Sequence, residues 1–208
     1  LTAFPDNFFA NEDNKFPGTV TVTGNFDKLV SIGKLAFAHV RLLQFGGTFP
    51  KLTTINEGAF VNTENVRQQD QTSSVDLTDA AVQTVGDGAF GMFSGTVTFL
   101  GNNLRDIGEA AFMAVRKIDF DENFDNVVTF GQFAFAQTCD LRRRRRRDAA
   151  VRPDHCDGRF DPDSSVRIST TAGNGALGAV PFGVFGAFAG TVTFEGTFTA
   201  LEAIGQSA

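Results

Sequence analysis

Apolar and polar residues along the chain repeat the pattern L-x-x-I-G-x-x-A-F, which closes on a phenylalanine. Two looser copies, LTAFPDNFF and LGAVPFGVF, end at Phe9 and Phe185, and a further copy, LEAIGQSA, stops at Ala208. Self-similarity of this kind is typical of solenoids, in which each repeat is one supersecondary unit. The closest copies are LVSIGKLAF, LTTINEGAF, VQTVGDGAF, LRDIGEAAF and VVTFGQFAF, which end at Phe37, Phe60, Phe90, Phe112 and Phe135.

Short runs of alternating apolar and polar residues lie between the closing phenylalanines. Alternation with period two predicts a short strand that buries one face. Insertions ahead of the strand account for the longer spacings between repeats. The predicted strands contain Val20–Val22, Leu43–Phe45, Val75–Leu77, Val97–Phe99, Ile118–Phe120, Val166–Ile168 and Val192–Phe194.

A single repeat is too small to bury its own apolar residues, but stacked repeats can bury them against each other. We therefore predict a solenoid in which the closing phenylalanines form one ladder. The alanine before each closing phenylalanine is expected to be small because neighbouring coils approach closely there. A second ladder is predicted from Ile32, Ile55, Val85, Ile107, Phe130, Val180 and Ile204.

The I-G-x-x-A-F signature and a repeat near 23 residues resemble the BspA-like leucine-rich repeats. The resemblance implies one leucine-rich repeat domain over 1–208, with insertions at about 61–74 and 139–163. It implies short parallel β-strands on one face of the solenoid and irregular loops on the other. It also implies recognition or adhesion, and a location outside the cell or on its surface.

Residues at the outward position of successive strands should form a row on the sheet face. In leucine-rich repeat proteins the concave sheet face is commonly the binding surface, so the resemblance makes this row a candidate protein-binding site. Plain solvated strand residues are the alternative. This sheet row comprises Thr21, Gln44, Asp76, Thr98, Asp119, Arg167 and Thr193.

Phenylalanine supplies all the aromatic residues: the chain has 24 Phe and no Tyr or Trp. Because Phe has no polar group, these rings suit a core better than a binding surface. The first residue is not Met and the last repeat stops before its Phe, so we expect a piece of a longer protein. The charge-free stretch Ile168–Phe194 keeps the repeat register and contains Pro181, so no membrane span is expected in this segment.

Six consecutive arginines, Arg142, Arg143, Arg144, Arg145, Arg146 and Arg147, lie in a chain whose net charge is −6. Such a run can bind a polyanion such as a glycosaminoglycan or nucleic acid, with release of counterions. A tolerated insertion, a proteolytic processing site and a contact with the acidic body of the same protein are the alternatives.

The only two cysteines, Cys139 and Cys156, bracket the arginine run. A disulfide between them would close the loop at its base and, in the chain-entropy model, stabilise the protein by about 3 kcal/mol. It would also indicate an oxidising compartment. Two unpaired thiols are the alternative, which leaves a cytoplasmic location open.

Motifs for catalysis are missing from the sequence: there is no G-x-S-x-G, H-E-x-x-H or phosphate-binding loop, and only two histidines occur. We therefore expect no enzyme activity and no catalytic, cofactor-binding or metal-binding residues. The predicted function is a recognition or adhesion module that binds protein or polyanionic ligands. An intracellular scaffold for protein–protein interaction is the alternative.

Overall fold

The protein is described by a computed structural model that covers residues 1–9, 16–61, 73–99, 103–120, 126–136, 165–170, 177–187 and 191–206. Strands of two kinds alternate along these residues, and two of them make one coil of a solenoid. The longer strands are β2 (Phe16–Val22), β4 (Val40–Phe45), β6 (Ser74–Leu77), β8 (Thr96–Phe99), β10 (Lys117–Phe120), β12 (Ser165–Thr170) and β14 (Thr191–Gly196). The two-residue strands are β1 (Ala3–Phe4), β3 (Ser31–Ile32), β5 (Thr54–Ile55), β7 (Thr84–Val85), β9 (Asp106–Ile107), β11 (Thr129–Phe130), β13 (Ala179–Val180) and β15 (Ala203–Ile204).

All the strands pair in parallel, each with its counterpart in the neighbouring coil. In the described residues the long strands β2, β4, β6, β8 and β10 form one sheet, and the short strands β1 to β11 form a second sheet. The strands β12 and β14 form a separate pair, as do β13 and β15. The predicted leucine-rich repeat solenoid is therefore confirmed, and each predicted strand lies within an observed long strand.

The closing phenylalanines form the predicted ladder. Phe90 and Phe112 stack with ring centroids 5.3 Å apart and planes 4° from parallel. Phe112 and Phe135 repeat this geometry at 5.2 Å and 4°. The ladder also includes Phe37, Phe60 and Phe185, with neighbouring centroids separated by 4.9 to 5.5 Å. Aromatic pairs of this kind contribute roughly 0.5–1.5 kcal/mol each beyond the area they bury, so the ladder is a large part of what holds coil to coil.

The second predicted ladder runs through the two-residue strands. Ile32 pairs with Ile55, Ile55 with Val85, and Val85 with Ile107. These side chains are buried, as are Phe130 and Val180, whereas Ile204 in the last described coil is exposed. The ladder is therefore confirmed over the coils that have neighbours on both sides.

The connections between the two sheets are more regular than the irregular loops expected from the sequence. Alternate residues around each closing phenylalanine donate a backbone hydrogen bond to the next coil: Leu35 N to Glu57 O at 3.0 Å and Phe37 N to Ala59 O at 2.8 Å. The residue two positions before the closing phenylalanine has a left-handed backbone conformation in seven coils. These residues are Asn7, Leu35, Gly58, Gly88, Ala110, Phe133 and Gly183. The alanine before the closing phenylalanine is buried at 36, 59, 89, 111 and 134, in agreement with the expected close approach of the coils.

The stack continues on both sides of the segment that contains the arginine run. Phe135 and Phe185 stack at 5.5 Å with planes 8° apart, although 50 positions separate them in the sequence. The Phe135 N–H donates to Val184 O at 2.8 Å, which is the bond that neighbouring coils make elsewhere. The long insertion is therefore accommodated between two coils that remain in direct contact.

Candidate functional site

The residues of the predicted sheet row lie on the long strands, but strand pairing does not place them in a single row. Thr21 is level with Gln44, and Gln44 is level with Ser74 rather than with Asp76. Asp76 is instead level with Thr98, which is level with Asp119. The predicted sheet row is therefore offset by two residues between β4 and β6.

Two serines at the end of the first predicted insertion lie where this offset occurs. The Leu43 N–H donates to the hydroxyl of Ser73 at 3.1 Å, and Ser73 is fully buried. Ser74 then begins β6, and its hydroxyl donates to Gln44 Oε1 at 2.8 Å. The first residue of β6 is thus level with Gln44 of β4 and with Thr96, the first residue of β8, while the Ser73 hydroxyl takes up a backbone donor of β4.

The remaining members of the sheet row are set by strand pairing. Asp76 is exposed, and its Oδ1 accepts hydrogen bonds from Thr78 N at 3.1 Å and Thr78 Oγ1 at 2.9 Å. Arg167 is level with Thr193 in the separate pair of β12 and β14. The sheet row thus consists of polar residues, and the carboxylate of Asp76 is fixed by its own turn.

Two of the sequence-based predictions concern residues outside the described ranges. The run from Arg142 to Arg147 lies there, and so do Cys139 and Cys156. The polyanion contact and the disulfide therefore stay predictions.

A second surface lies at the turns between the short-strand sheet and the closing phenylalanines. Glu57, Asp87 and Glu109 occupy the same position in three successive coils, and all three are at the surface. Gly58 N donates to Asp87 O at 2.9 Å, and Gly88 N donates to Glu109 O at 2.8 Å, so the three backbones are directly adjacent. We call these three residues the acidic column.

Each member of the acidic column is held differently. Asp87 Oδ1 accepts a hydrogen bond from Glu109 N at 2.8 Å, which fixes one coil against the next. Glu57 forms an exposed ion pair with Lys34, at 2.7 Å between Oε2 and Nζ. Exposed pairs of this kind contribute about 0–1 kcal/mol to stability.

Apolar side chains lie alongside the acidic column. Leu35 and Val61 cover Gly58: a Cβ at that glycine would meet Leu35 Cδ2 at 2.6 Å and Val61 Cγ1 at 3.5 Å. Across the next coils Met92 N donates to Met113 O at 2.8 Å. The rings of Phe133 and Phe182 meet edge to face at 5.5 Å. We call this set the apolar turn band: Leu35, Val61, Met92, Met113, Phe133 and Phe182.

The band has a gap in the middle, where a coil carries glycines instead of side chains. A Cβ built on Gly88 would have nothing within 4 Å, so the space above it is open. A Cβ on Gly91 would be 3.6 Å from Val61 Cγ2, which marks one wall of this gap. Met92 at its border is 51% exposed and Phe182 further along is 45% exposed.

Sequence reasoning missed the acidic column and the apolar turn band. The signal was present in the two variable positions of G-x-x-A-F, which read Glu-Gly, Asp-Gly and Glu-Ala in the three coils that end at Phe60, Phe90 and Phe112. Only the left-handed turns of the structure show that these positions face outward in register.

Comparison with family models gives six copies of the BspA type leucine-rich repeat region, matched over residues 2–78 and 30–145. The chain belongs to the BspA-type leucine-rich repeat family. Family and fold are those of a repeat module for protein interaction, and such solenoids are typically non-catalytic. The BspA-type coils extend beyond the matched residues, since β13 to β15 and Phe185 continue the stack.

Searches of curated proteins and of solved structures gave no significant match to this BspA-type chain. Within the described ranges, no helix is long and apolar enough to cross a membrane. Among those same residues, no three His, Cys, Asp or Glu side chains are grouped so that they could hold a metal ion.

Proposed function

We propose that this chain is a non-catalytic recognition or adhesion module of a surface or secreted protein, and that it binds a protein ligand. The observation that carries the proposal is the stack itself, in which ring ladders and backbone ladders hold successive coils in register. A stack of this kind keeps outward side chains such as Thr21, Gln44 and Thr98 at fixed spacings. Fixed spacing lowers the entropy cost of binding a complementary surface.

Site-specific photo-crosslinking on the intact chain tests the protein-ligand part of the proposal. A photoreactive residue replaces Thr98 on the sheet row, and the same residue replaces the exposed Glu202 as a matched control. Both are placed in extract from the native source, and cross-linked proteins are identified by mass spectrometry. We expect one defined protein to be captured from position 98, to be absent from position 202, and to be displaced by excess unlabelled chain. Equal capture from both positions would contradict a specific ligand.

Surface or secreted location is tested by the state of the thiols. The protein is isolated from its native source without reductant, alkylated and analysed by mass spectrometry. A cross-linked peptide that joins Cys139 to Cys156 is expected, since disulfides persist in oxidising compartments. Two freely alkylated thiols would favour the alternative, an intracellular scaffold for protein–protein interaction.

A polyanion is a second candidate ligand, and the sequence of the insertion favours it. Arg142–Arg147 concentrate six positive charges in a chain whose remaining residues carry 24 acidic and 12 basic side chains, the latter being 18 minus the six arginines. Neutralisation of phosphates or sulfates by such a run releases counterions and gives salt-dependent affinity.

A further inference from the structure

We propose that the apolar turn band and the acidic column together form the docking surface for a basic, amphipathic segment of a partner protein. This inference rests on the proposed protein-interaction function and names a different surface from the sheet row. The occupant is a peptide segment with apolar side chains on one side and lysine or arginine on the other.

The first argument is composition. The sheet row presents short polar side chains, whereas the turn band presents Met92, Met113, Phe133 and Phe182. Methionine and phenylalanine are enriched at the centre of protein interfaces, and methionine adapts its shape to different partners. Contiguous exposed apolar surface on a soluble protein commonly marks an interaction site.

The second argument is continuity across coils. Leu35 and Val61 cover Gly58, Met92 and Met113 lie on adjacent coils, and the Phe133 ring meets the Phe182 ring. The space over Gly88 is open, and Val61 lies beside the nearby Gly91, so there is room for a side chain from outside. A partner can thus lie along the band and place one apolar side chain in the gap.

The third argument is charge. Glu57, Asp87 and Glu109 lie on the same three coils as Val61, Met92 and Met113, so a partner lying along this part of the band passes their carboxylates. A cationic side chain on the partner would find these charges at the rim, where they set orientation and association rate. An acidic or neutral segment would lack that complement, which is why the structure favours a basic occupant.

The test uses the full chain and a fluorescein-labelled model peptide that carries leucine on one helical face and lysine on the other. A peptide with glutamate in place of every lysine serves as the charge control. Binding is followed by fluorescence anisotropy at low and at moderate salt. We expect the lysine peptide to bind, the glutamate peptide to bind at least about tenfold more weakly, and added salt to reduce the difference.

Matched variants distinguish binding at the turn surface from nonspecific binding to acidic or apolar surface elsewhere on the protein. Glu109→Gln should weaken binding about two- to fivefold, the range for one exposed charge pair, while Glu202→Gln removes the same charge elsewhere and should have little effect. Met92→Ser should weaken binding about fivefold, while Val30→Ser removes an exposed apolar side chain off the band and should not. Val30 is 44% exposed and Met92 is 51% exposed, so the two positions are matched in exposure.

Thermal unfolding of each variant is measured in parallel, and Phe182→Ser replaces Met92→Ser if the latter lowers the midpoint. Binding that is equal in all four variants, or equal for the two peptides, would overturn the docking surface. Both measurements are repeated on a Met92→Ser, Glu109→Gln double variant. If cross-linking from position 98 and peptide binding are both unchanged, the docking surface is refuted and the proposed function still stands. If the photoreactive residue at position 98 captures no specific protein in the otherwise unchanged chain, that result would instead count against the proposed function.

Discussion

Gly108 lies directly against Asp87 of the preceding coil. A Cβ built on Gly108 would stand 2.6 Å from the backbone nitrogen of Asp87, closer than real contacts allow. Gly33, Gly86, Gly131 and Gly205 meet the backbone of their own preceding coils in the same way. At these five positions the close spacing between coils therefore favours the glycine of the I-G signature. Pro5, Asn56 and Pro181 occupy the same position in the other described coils.

Replacement of Gly108 by alanine should destabilise the protein by roughly 1–3 kcal/mol, because the added methyl group must push two coils apart. The free energy of unfolding in urea, followed by circular dichroism, measures the effect. Gly46→Ala is the control, since a Cβ there meets nothing within 4 Å. Equal losses for both variants would show that coil spacing does not limit this position.

Phe112→Ala should lower the free energy of unfolding by about 3–5 kcal/mol, because the variant leaves a cavity and breaks the stack on both sides. Phe112 is fully buried between Phe90 and Phe135. Hydrogen exchange should show the loss of protection centred on the coils of these three residues, since repeat arrays are held by nearest neighbours. Phe182→Ala, at a half-exposed ring, should cost far less; a comparable cost would argue against the ladder as the main support.

Gly88 and Ala110 occupy the same left-handed position in adjacent coils, with φ of 57° and 52°. Ala110→Gly should stabilise the protein by up to about 1 kcal/mol, because glycine reaches this conformation without strain. Gly88→Ala should destabilise it by about 1 kcal/mol, although nothing lies within 4 Å of the new Cβ. Thermal midpoints of the two variants should therefore move in opposite directions, and shifts of the same sign would contradict the backbone explanation.

Substitution of all six residues from Arg142 to Arg147 by serine should abolish salt-sensitive retention on heparin-agarose. The expected loss in the slope of log affinity against log salt is about 0.7–0.9 for each arginine that engages a phosphate-like group. Thermal unfolding should be unchanged, since the Phe135–Phe185 stack and the Phe135 N–H bond to Val184 O join the two coils. An Arg41→Ser, Arg105→Ser double variant is the control for scattered positive charge. Unchanged elution of the six-serine variant would refute polyanion binding by the run.

Much of this fold could be predicted from the residues alone. Val97 and Phe99 alternate with Thr96 and Thr98, and a period of two leaves only one way for a short strand to bury its apolar side chains. Repetition of the pattern then identified the stacked phenylalanines and the ladder from Ile32 to Ile204. These features depend on residues within one repeat and on the physical need to cover them with the next.

The candidate sites were predictable only in part. The residues of the sheet row lie on the long strands as expected, yet Gln44 lies beside Ser74 and not beside Asp76. The length of an insertion does not reveal where strand pairing resumes, and in this chain it resumes next to the buried hydroxyl of Ser73. Ser73 reads as one more polar residue of a surface loop in the sequence.

The sequence by itself determined the repeat, the two ladders and the family, because periodic side chains must be buried by identical neighbours. Only the tertiary structure decided the register of β6, the left-handed turns at Leu35, Ala110 and Phe133, and the alignment of the apolar turn band with the acidic column. Backbone bonds such as Leu35 N to Glu57 O and Ala110 N to Gln132 O hold these turns in place. The partners in such bonds lie more than 20 residues apart in the chain, so that no local propensity encodes them.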